Sequence, residues 1–506
     1  MTEEGPDGDG ATAAAAAAPA RSDAERLFTD AVALVRSFAL STPSYAPDFA
    51  APAVGQAREQ APGVGPILGL PGDLWATAED LRAGRGTVAE LAERSAERIA
   101  RYGERFHTFE HLADLQAASE PLDEAARQGR WQGPLHGIPL SIKDIIDVAG
   151  MPTTGSSSAL PPRVAAEDAT AVARLRSAGA VITGKAVTHE FALGVTTEQS
   201  HNPWDESRIP GGSSGGSAIS VVTGMALGSL GTDTRASIRV PPALSGGVGV
   251  RSSRGVVPVD AWCTLSWTMD RFGPITRSVR DAALLLDVLS GGDRFRAALP
   301  GDLRGRRVGY TDAFVDGSDA GVRERFEESL GIFERGGASV VRLTGLDPDL
   351  LELANAAGML LSRAEAAQYH AQAGTALDRC SAEVRDQLTA ASGMLATDYL
   401  HSLQIRGEVN ARLLESMADV DVLVMPTTKV VAPPREEAER YLLRLSENCI
   451  PWSLGEFCAV SAFMGMSDGL PTGLQLVGRP GADADVLAIA HGFEQAGPKL
   501  PEWSAP

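Results

Sequence analysis

The stretch "PGGSSGGSAISVVTGMALGSLGTDTRASIR", residues 210–239, joins two serine-containing loops through an apolar segment. That segment carries no charged side chain before Asp233, so it is predicted to begin with a small-residue helix buried on every side, followed by a turn. A flexible linker would not lead directly into such a helix, and we therefore assign the glycine-rich loop to the folded core. Ser213 and Ser237, one from each loop, are expected to meet at a single reaction centre.

A lysine in an apolar setting is a candidate base that can be considered together with these two serines. Lys143 lies in "GIPLSIKDIIDVAG" (137–150), which has the composition of a buried strand and its exit loop. Burial disfavours the charged form of lysine. Lowering the pKa from about 10.4 to 7 or 8 corresponds to roughly 4 kcal/mol, which burial can supply and which would make Lys143 a base. The alternative is a lysine that extends to solvent and pairs with Asp144.

The chain around these segments alternates between helix and strand patterns. "DATAVARLRSAGAVITGKA" (168–186) predicts a helix, a glycine stop and a strand, and similar units follow to the C-terminus. The pattern predicts an α/β fold with a large mixed, mostly parallel β-sheet covered on both faces by helices, together with a helical N-terminal extension. We divide the chain into a disordered Ala-rich leader (1–22), a helical extension (23–74) and one catalytic domain (75–506).

Composition limits the partners and the compartment. The 65 acidic and 45 basic residues give a net charge of −20, which would repel phosphate backbones and anionic lipid surfaces. The four cysteines lack the paired spacing of zinc or redox sites, and the acidic N-terminus does not resemble a signal peptide. No apolar stretch approaches the roughly 20 residues that span a bilayer. These features predict a cytoplasmic protein without metal, cofactor, membrane or nucleic-acid partner.

Three short motifs in the chain come close to known functional patterns. "GAVITGKA" (179–186) ends in alanine where a P-loop needs a hydroxyl, and "HEFAL" (189–193) lacks the second histidine of a zinc-protease helix. "GSSGG" (212–216) fits a nucleophile elbow, which would make Ser214 the nucleophile of an α/β-hydrolase with a histidine base. The "WDESRIPG" that precedes it does not look like the buried strand that an elbow requires. The histidines available for that alternative are His370, His401 and His491.

Longer motifs resemble one known family. They are "GPLHGIPLSIKDIIDVAGMPTTGSSS" (133–158), "GAVITGKAVTHEFALGVTTEQSHNPWD" (179–205), the stretch quoted at the start and "GLPTGLQLVGRP" (469–480). Their order and spacing resemble the amidase signature family from about residue 75 to the C-terminus.

The resemblance implies a catalytic role for three residues. It makes Lys143 the base, Ser213 a relay on a cis peptide bond, and Ser237 the nucleophile that forms an acyl-enzyme. It also implies an oxyanion hole of backbone N–H groups before the nucleophile, at Thr234, Arg235 and Ala236.

Arg235 and Ala236 stand where most members of the family have glycines. Backbone amides do not depend on the side chain, so the hole persists if both residues adopt negative φ. We expect the Arg235 side chain either to pair with an acid such as Asp233 or to narrow the leaving-group channel.

The family also suggests what the chain acts on. We expect it to cleave small-molecule amides, and also esters or carbamates, with Ser214, Trp267 and Trp452 as candidate substrate contacts. A homodimer is left open. Two alternatives remain: a component like the A subunit of a glutamyl-tRNA amidotransferase, and a catalytically silent binding protein with the same fold.

Overall fold

A single large sheet organises the chain in the computed structural model, which describes residues 23–39, 73–299, 302–344 and 346–504. The predicted leader (1–22) and most of the predicted extension (40–72) lie outside these ranges. The strands are β1 Phe109–Leu112, β2 Pro139–Lys143, β3 Val181–Ala186, β4 Gly228–Asp233, β5 Val248–Arg251, β6 Arg271–Thr276, β7 Arg307–Tyr310, β8 Ser339–Arg342, β9 Val422–Pro426, β10 Cys458–Ser467 and β11 Leu470–Gly478.

The α-helices of the described ranges precede, follow and connect these strands. They are α1 Asp23–Ser37, α2 Leu74–Arg82, α3 Val88–Tyr102, α4 Leu115–Arg127, α5 Thr170–Ser177, α6 Gly215–Val222, α7 Val240–Ser245, α8 Val279–Ser290, α9 Arg294–Ala298, α10 Ala320–Arg335, α11 Pro348–Ala373, α12 Ala382–Ser392, α13 Ala396–Ser416, α14 Leu442–Ser446, α15 Ile450–Leu454 and α16 Asp483–Ala496. Short 3₁₀ turns lie at Glu190–Ala192, Asp312–Phe314, Leu377–Arg379 and Arg435–Tyr441.

The strand order is β1-β3-β2-β4-β6-β5-β10-β11-β9-β7-β8. The prediction of a mostly parallel sheet is wrong, because only β2–β3, β2–β4, β7–β8 and β7–β9 pair in parallel while the other six pairs in the described ranges are antiparallel. One cause is the tight Asp468–Gly469 turn between β10 and β11, where both residues have positive φ. A two-residue turn of this kind joins antiparallel strands.

The central strands are buried on both faces, which confirms the predicted layers. Every residue of β2, β3 and β4 is buried, so helices must cover the sheet on both sides. All of α6 is buried as well, and it packs against β2, β3, β4 and β6. The predicted apolar helix after the glycine-rich loop is therefore confirmed, and β4 is a strand that the sequence did not reveal.

The helix predicted for the N-terminal extension packs on three helices from the second half of the chain. α1 contacts α11, α12 and α13 and buries Phe28, Ala31 and Val35. Arg36 at its end donates to both carboxylate oxygens of Asp398, at 2.8 and 2.7 Å. In the described ranges, no helix combines the length and the apolar character that crossing a membrane requires.

Candidate active site

Lys143 ends β2 with its side chain fully buried. Its Nζ donates to Ser213 Oγ at 2.6 Å and to Thr232 Oγ1 at 2.9 Å. Burial lowers the pKa of Lys143 to about 7, against the opposing attraction of Asp270 and Asp233. At neutral pH a large share of this amine is therefore uncharged and able to accept a proton.

The alternative pairing of Lys143 with Asp144 does not occur. Asp144 Oδ1 lies 3.1 Å from the Nζ of Lys185, on the neighbouring strand β3. The isoleucines beside Lys143, which are Ile142 and Ile145, are both buried. The sequence thus placed Lys143 in the correct apolar setting.

Ser213 follows a cis peptide bond to Gly212, as the resemblance implied. Its backbone carbonyl accepts three hydrogen bonds, from the His189 amide at 3.0 Å, Thr188 Oγ1 at 2.9 Å and Thr197 Oγ1 at 3.2 Å. These donors come from the segment after β3. They fix the backbone of Ser213 and leave its hydroxyl directed at Lys143.

Close backbone approach explains the glycines around Ser213. A Cβ on Gly212 would lie 2.7 Å from Thr197 Oγ1 and 2.8 Å from the Thr196 amide nitrogen. A Cβ on Gly216 would lie 2.5 Å from the carbonyl oxygen of Thr108. Larger residues would push the glycine-rich loop away from the segment that holds it.

Ser237 lies in the loop between β4 and α7. It is 4% exposed, whereas Ser213 and Lys143 are fully buried. The loop is held by the Ile238 amide, which donates to Asp233 Oδ2 at 3.2 Å, and by the Arg239 amide, which donates to the Ala236 carbonyl at 2.9 Å. Of Lys143, Ser213 and Ser237, the last is therefore the most exposed, and in the described ranges no hydrogen bond joins the hydroxyls of Ser213 and Ser237.

The backbone before Ser237 leaves amide groups available. The amides of the predicted donors Thr234, Arg235 and Ala236, and that of Ser237, donate to no other residue in the ranges that the structure describes. Arg235 and Ala236 both lie outside the left-handed region of φ. The missing glycines therefore do not prevent this loop from offering N–H groups to an oxyanion.

The Arg235 side chain does not pair with Asp233, which was the first of the two roles expected for it. Asp233 is instead held by Arg239 Nε at 3.0 Å and Arg251 Nη1 at 3.1 Å, and all three side chains are fully buried. The Arg235 carbonyl accepts from Arg239 Nη2 at 2.8 Å and from Ser453 Oγ at 2.9 Å. The Arg235 side chain lines a cavity beside the loop.

Two residues near Lys143 and Ser237 were missed from the sequence. Thr232 in β4 accepts a hydrogen bond from Lys143, and Asp270, just before β6, accepts one from Thr234 Oγ1. Strands β2, β4 and β6 are adjacent in the sheet, which brings these residues together. The only sequence signal was the polar run "TDT" at the end of a glycine-rich apolar segment.

The candidate substrate contacts occupy different environments. Trp452 is fully buried, with its ring 5.4 Å from that of Phe314 and 5.3 Å from that of Phe457, so it packs as a core side chain. Trp267 is 44% exposed. Ser214 is fully buried at the start of α6, where its Oγ donates to the Thr232 carbonyl at 3.4 Å.

The histidines of the elbow alternative do not serve Ser214. His370 is buried against the Phe191 ring, and burial lowers the pKa of His370 to about 4. His491 lies 3.5 Å from Glu494, and no hydrogen bond joins His401 to Ser214. In the described part of the chain, no group of three or more His, Cys, Asp or Glu side chains is arranged to hold a metal ion.

A family model described as Amidase matches residues 90–487. The chain belongs to this amidase family. Its members are hydrolases that act on C–N amide bonds, and the geometry above lies within the matched region.

Named relatives and solved structures extend the comparison. The chain is 33% identical over 467 residues to the A subunit of glutamyl-tRNA(Gln) amidotransferase from Chloroflexus aurantiacus, covering 84% of this chain and 95% of that protein. The solved structure of the corresponding A subunit from Thermotoga maritima matches at 30% identity with a TM-score of 0.73, over 85% of this chain and 97% of that one. The peptide amidase of Stenotrophomonas maltophilia matches at 27% identity with a TM-score of 0.75, over 86% and 98%.

The expected partners need correction. Small-molecule substrates without any nucleic-acid partner were predicted, but relatives at 33% identity are named as a subunit of an enzyme for glutamyl-tRNA(Gln). The exclusion of a nucleic-acid partner was wrong because it rested on the net charge of −20. Net charge argues only against direct contact by this chain and does not exclude a nucleic acid held by a partner subunit.

Proposed function

We propose that this amidase-family chain hydrolyses carboxylic amide bonds through Ser237, Ser213 and Lys143. The observation that carries the proposal is the 2.6 Å contact between Lys143 Nζ and Ser213 Oγ, made by a buried amine with a pKa of about 7. A fully charged lysine could only donate a proton along this contact. A neutral one can accept it.

The proposed mechanism transfers protons from Ser237 through Ser213 to Lys143 and later returns a proton to the leaving group. Lys143 takes the proton of Ser213 as Ser213 takes that of Ser237, and the Ser237 oxygen attacks the amide carbon. The amides of residues 235–237 stabilise the negative oxygen that develops. Collapse of this intermediate breaks the C–N bond, the relay returns a proton to the departing amine, and water then hydrolyses the acyl-enzyme.

Labelling with a serine-reactive fluorophosphonate tests this assignment. We expect the label on Ser237 in the wild type and at least a hundred-fold slower labelling in Lys143→Met, because general base catalysis contributes about that much or more. Peptide mapping by mass spectrometry locates the label. Ser214→Ala is the matched control and should label at the wild-type rate if Ser214 is not the nucleophile. A label on Ser214, or none on a folded wild type, would contradict the proposal.

A second candidate places the same chemistry in an assembly. The chain covers 95% of the length of the A subunit from Chloroflexus aurantiacus, which favours a role as an A-subunit-like component of a glutamyl-tRNA amidotransferase. In that role the amide would be a nitrogen donor for a tRNA-linked product.

Purification from source cells through a tag on this chain tests the second candidate. A complex that converts glutamyl-tRNA(Gln) to glutaminyl-tRNA(Gln), and loses this activity in Ser237→Ala, would support it. A chain that purifies alone and hydrolyses amides at full rate without tRNA would rule it out and leave the first proposal standing.

A further inference from the structure

A cavity of about 70 Å³, open to solvent on one side, adjoins the loop that carries Ser237. Its apolar lining includes Leu27 and Phe28 of α1, Met359 of α11 and Leu442 of α14. Two cationic side chains, Arg235 and Arg363, line the same space. The cavity thus combines apolar walls with two positive charges.

Neither arginine has an anionic partner in the described ranges. The Arg235 side chain forms no hydrogen bond or ion pair there, and its Nε is buried without an acceptor. Arg363 is buried, and its guanidinium contacts only the Ser362 hydroxyl and the Leu193 carbonyl, each at 3.4 Å. Buried cations are ordinarily paired, so the buried Arg363 beside a partly buried Arg235 with an unpartnered Nε needs an explanation.

The nearest acid does not neutralise the pair. Glu383 also lines the cavity, but its carboxylate lies 3.5 Å from His189 Nε2 and accepts from Gln387 Nε2 at 3.1 Å. Burial lowers the pKa of Arg363 to about 10, although Glu383 opposes this change. Burial and the neighbouring Arg363 lower the pKa of Arg235 well below its ordinary value. The cavity therefore has an excess of positive charge that a bound anion would relieve.

Two residues that line the cavity are close in sequence to residues of the proposed reaction centre. Arg235 precedes Ser237 by two residues, and its amide is one of the available oxyanion donors. Val195 on the cavity wall is two residues from Thr197, whose hydroxyl donates to the Ser213 carbonyl. Lys143, Ser213 and Ser237 do not line the cavity themselves, so a molecule bound at the two arginines reaches Ser237 only if it extends past the Arg235 backbone.

We infer that this cavity binds a carboxylate on the amide substrate through Arg235 and Arg363, while its apolar walls cover the carbon chain between carboxylate and amide. Guanidinium groups bind carboxylates through paired hydrogen bonds, which suits this role better than apolar packing alone. The inference rests on the proposed amide hydrolysis and specifies its substrate class as ω-carboxy amides.

Calorimetric titration of Ser237→Ala, which cannot turn over its ligand, tests the site. The probes are succinamate, glutaramate and adipamate, each compared with the neutral amide of equal carbon number: butanamide, pentanamide and hexanamide. We expect at least one carboxylate to bind ten-fold or more tightly than its neutral partner. Binding of all three no tighter than the neutral amides would overturn the inference.

Two further substitutions in the Ser237→Ala background locate the effect. Arg363→Met and Arg235→Gly should each reduce the preference for the carboxylate at least five-fold, and Arg363→Met should leave the affinity for the neutral amide within two-fold. Neither removes a charge that is paired among the described residues, so both should fold. Arg385→Gln, at a more exposed arginine of α12, is the matched control and should keep the preference. A preference that survives both cavity substitutions would also overturn the inference.

The binding and labelling tests separate the two proposals. Fluorophosphonate labelling of Ser237 without a preference for carboxylates would contradict the proposed anion site and support the proposed amidase chemistry. A preference for carboxylates without labelling of Ser237 would support the proposed anion site and contradict the proposed mechanism.

Discussion

Lys143→Met is expected to lower kcat/KM for amide hydrolysis by about a thousand-fold, within the usual range for loss of a general base. The residue is the only proton acceptor that the structure places on Ser213 Oγ in the described ranges. In the wild type, kcat/KM should fall about ten-fold per pH unit below pH 7, because Lys143 becomes protonated there. The residual activity of Lys143→Met should not show this decrease of kcat/KM below pH 7. Rates measured from pH 5 to 9 check both points, and a wild-type profile flat through pH 7 would contradict the role of the lysine.

The same substitution should raise stability at neutral pH. The folded protein holds Lys143 at a pKa of about 7, whereas the unfolded chain holds it near its ordinary value of 10.5. Between these values the unfolded state binds more protons, so the wild type gains stability as pH rises. The advantage of Lys143→Met, on the order of 2 kcal/mol once its lost hydrogen bonds are counted, should be largest at or below pH 7 and should shrink toward pH 10.

Thermal unfolding of both proteins at pH 7, 8.5 and 10 measures this difference. A Lys143→Met protein that is less stable than the wild type at every pH would show that the hydrogen bonds outweigh the cost of burying the amine. Lys499→Met, at an exposed lysine near the C-terminus, controls for the general effect of losing one positive charge.

Asp233→Asn is expected to destabilise the protein by about 3 to 5 kcal/mol, the usual cost of breaking a buried ion pair. Arg239 and Arg251 are fully buried, and Asp233 is the carboxylate that both of them contact. The substitution leaves two buried cations without their shared anion. Activity should fall too, because Asp233 also accepts from the Ile238 amide next to the nucleophile. Thermal unfolding and labelling of Ser237 measure the two effects.

Two variants control for this result. Asp302→Asn, at a largely exposed ion pair with Arg304, should change stability by less than about 1 kcal/mol. Asp233→Asn combined with Arg251→Met should recover part of the lost stability, because one unpaired buried cation is removed. A single Asp233→Asn variant as stable as the wild type would contradict this account of the network.

The parts of the site predicted from sequence were those encoded locally. The isoleucines around Lys143 indicate a buried strand, and the glycines around Ser213 indicate a backbone held close to its neighbours. Each of these signals lies within a few residues of the feature that it predicts.

The missed parts depend on strand order and distant contacts. β4 has the sequence GSLGTD, whose glycines disfavour a strand, yet Gly231 leaves room for Ser214 Oγ, which would lie 3.1 Å from an added Cβ. The antiparallel pairing of most strands was missed. An alternation of helices and strands along the sequence is compatible with parallel and with antiparallel neighbours in a mixed sheet. Arg235 and Arg363 share a cavity only because α11 packs beside the nucleophile loop, which no local pattern encodes.

The position of α1 has an evolutionary consequence. This helix precedes the region matched by the family model, yet it supplies Leu27 and Phe28 to a wall of the cavity beside the nucleophile loop. Exchange or loss of this appendage could change which molecules fit without altering any residue that carries out bond cleavage.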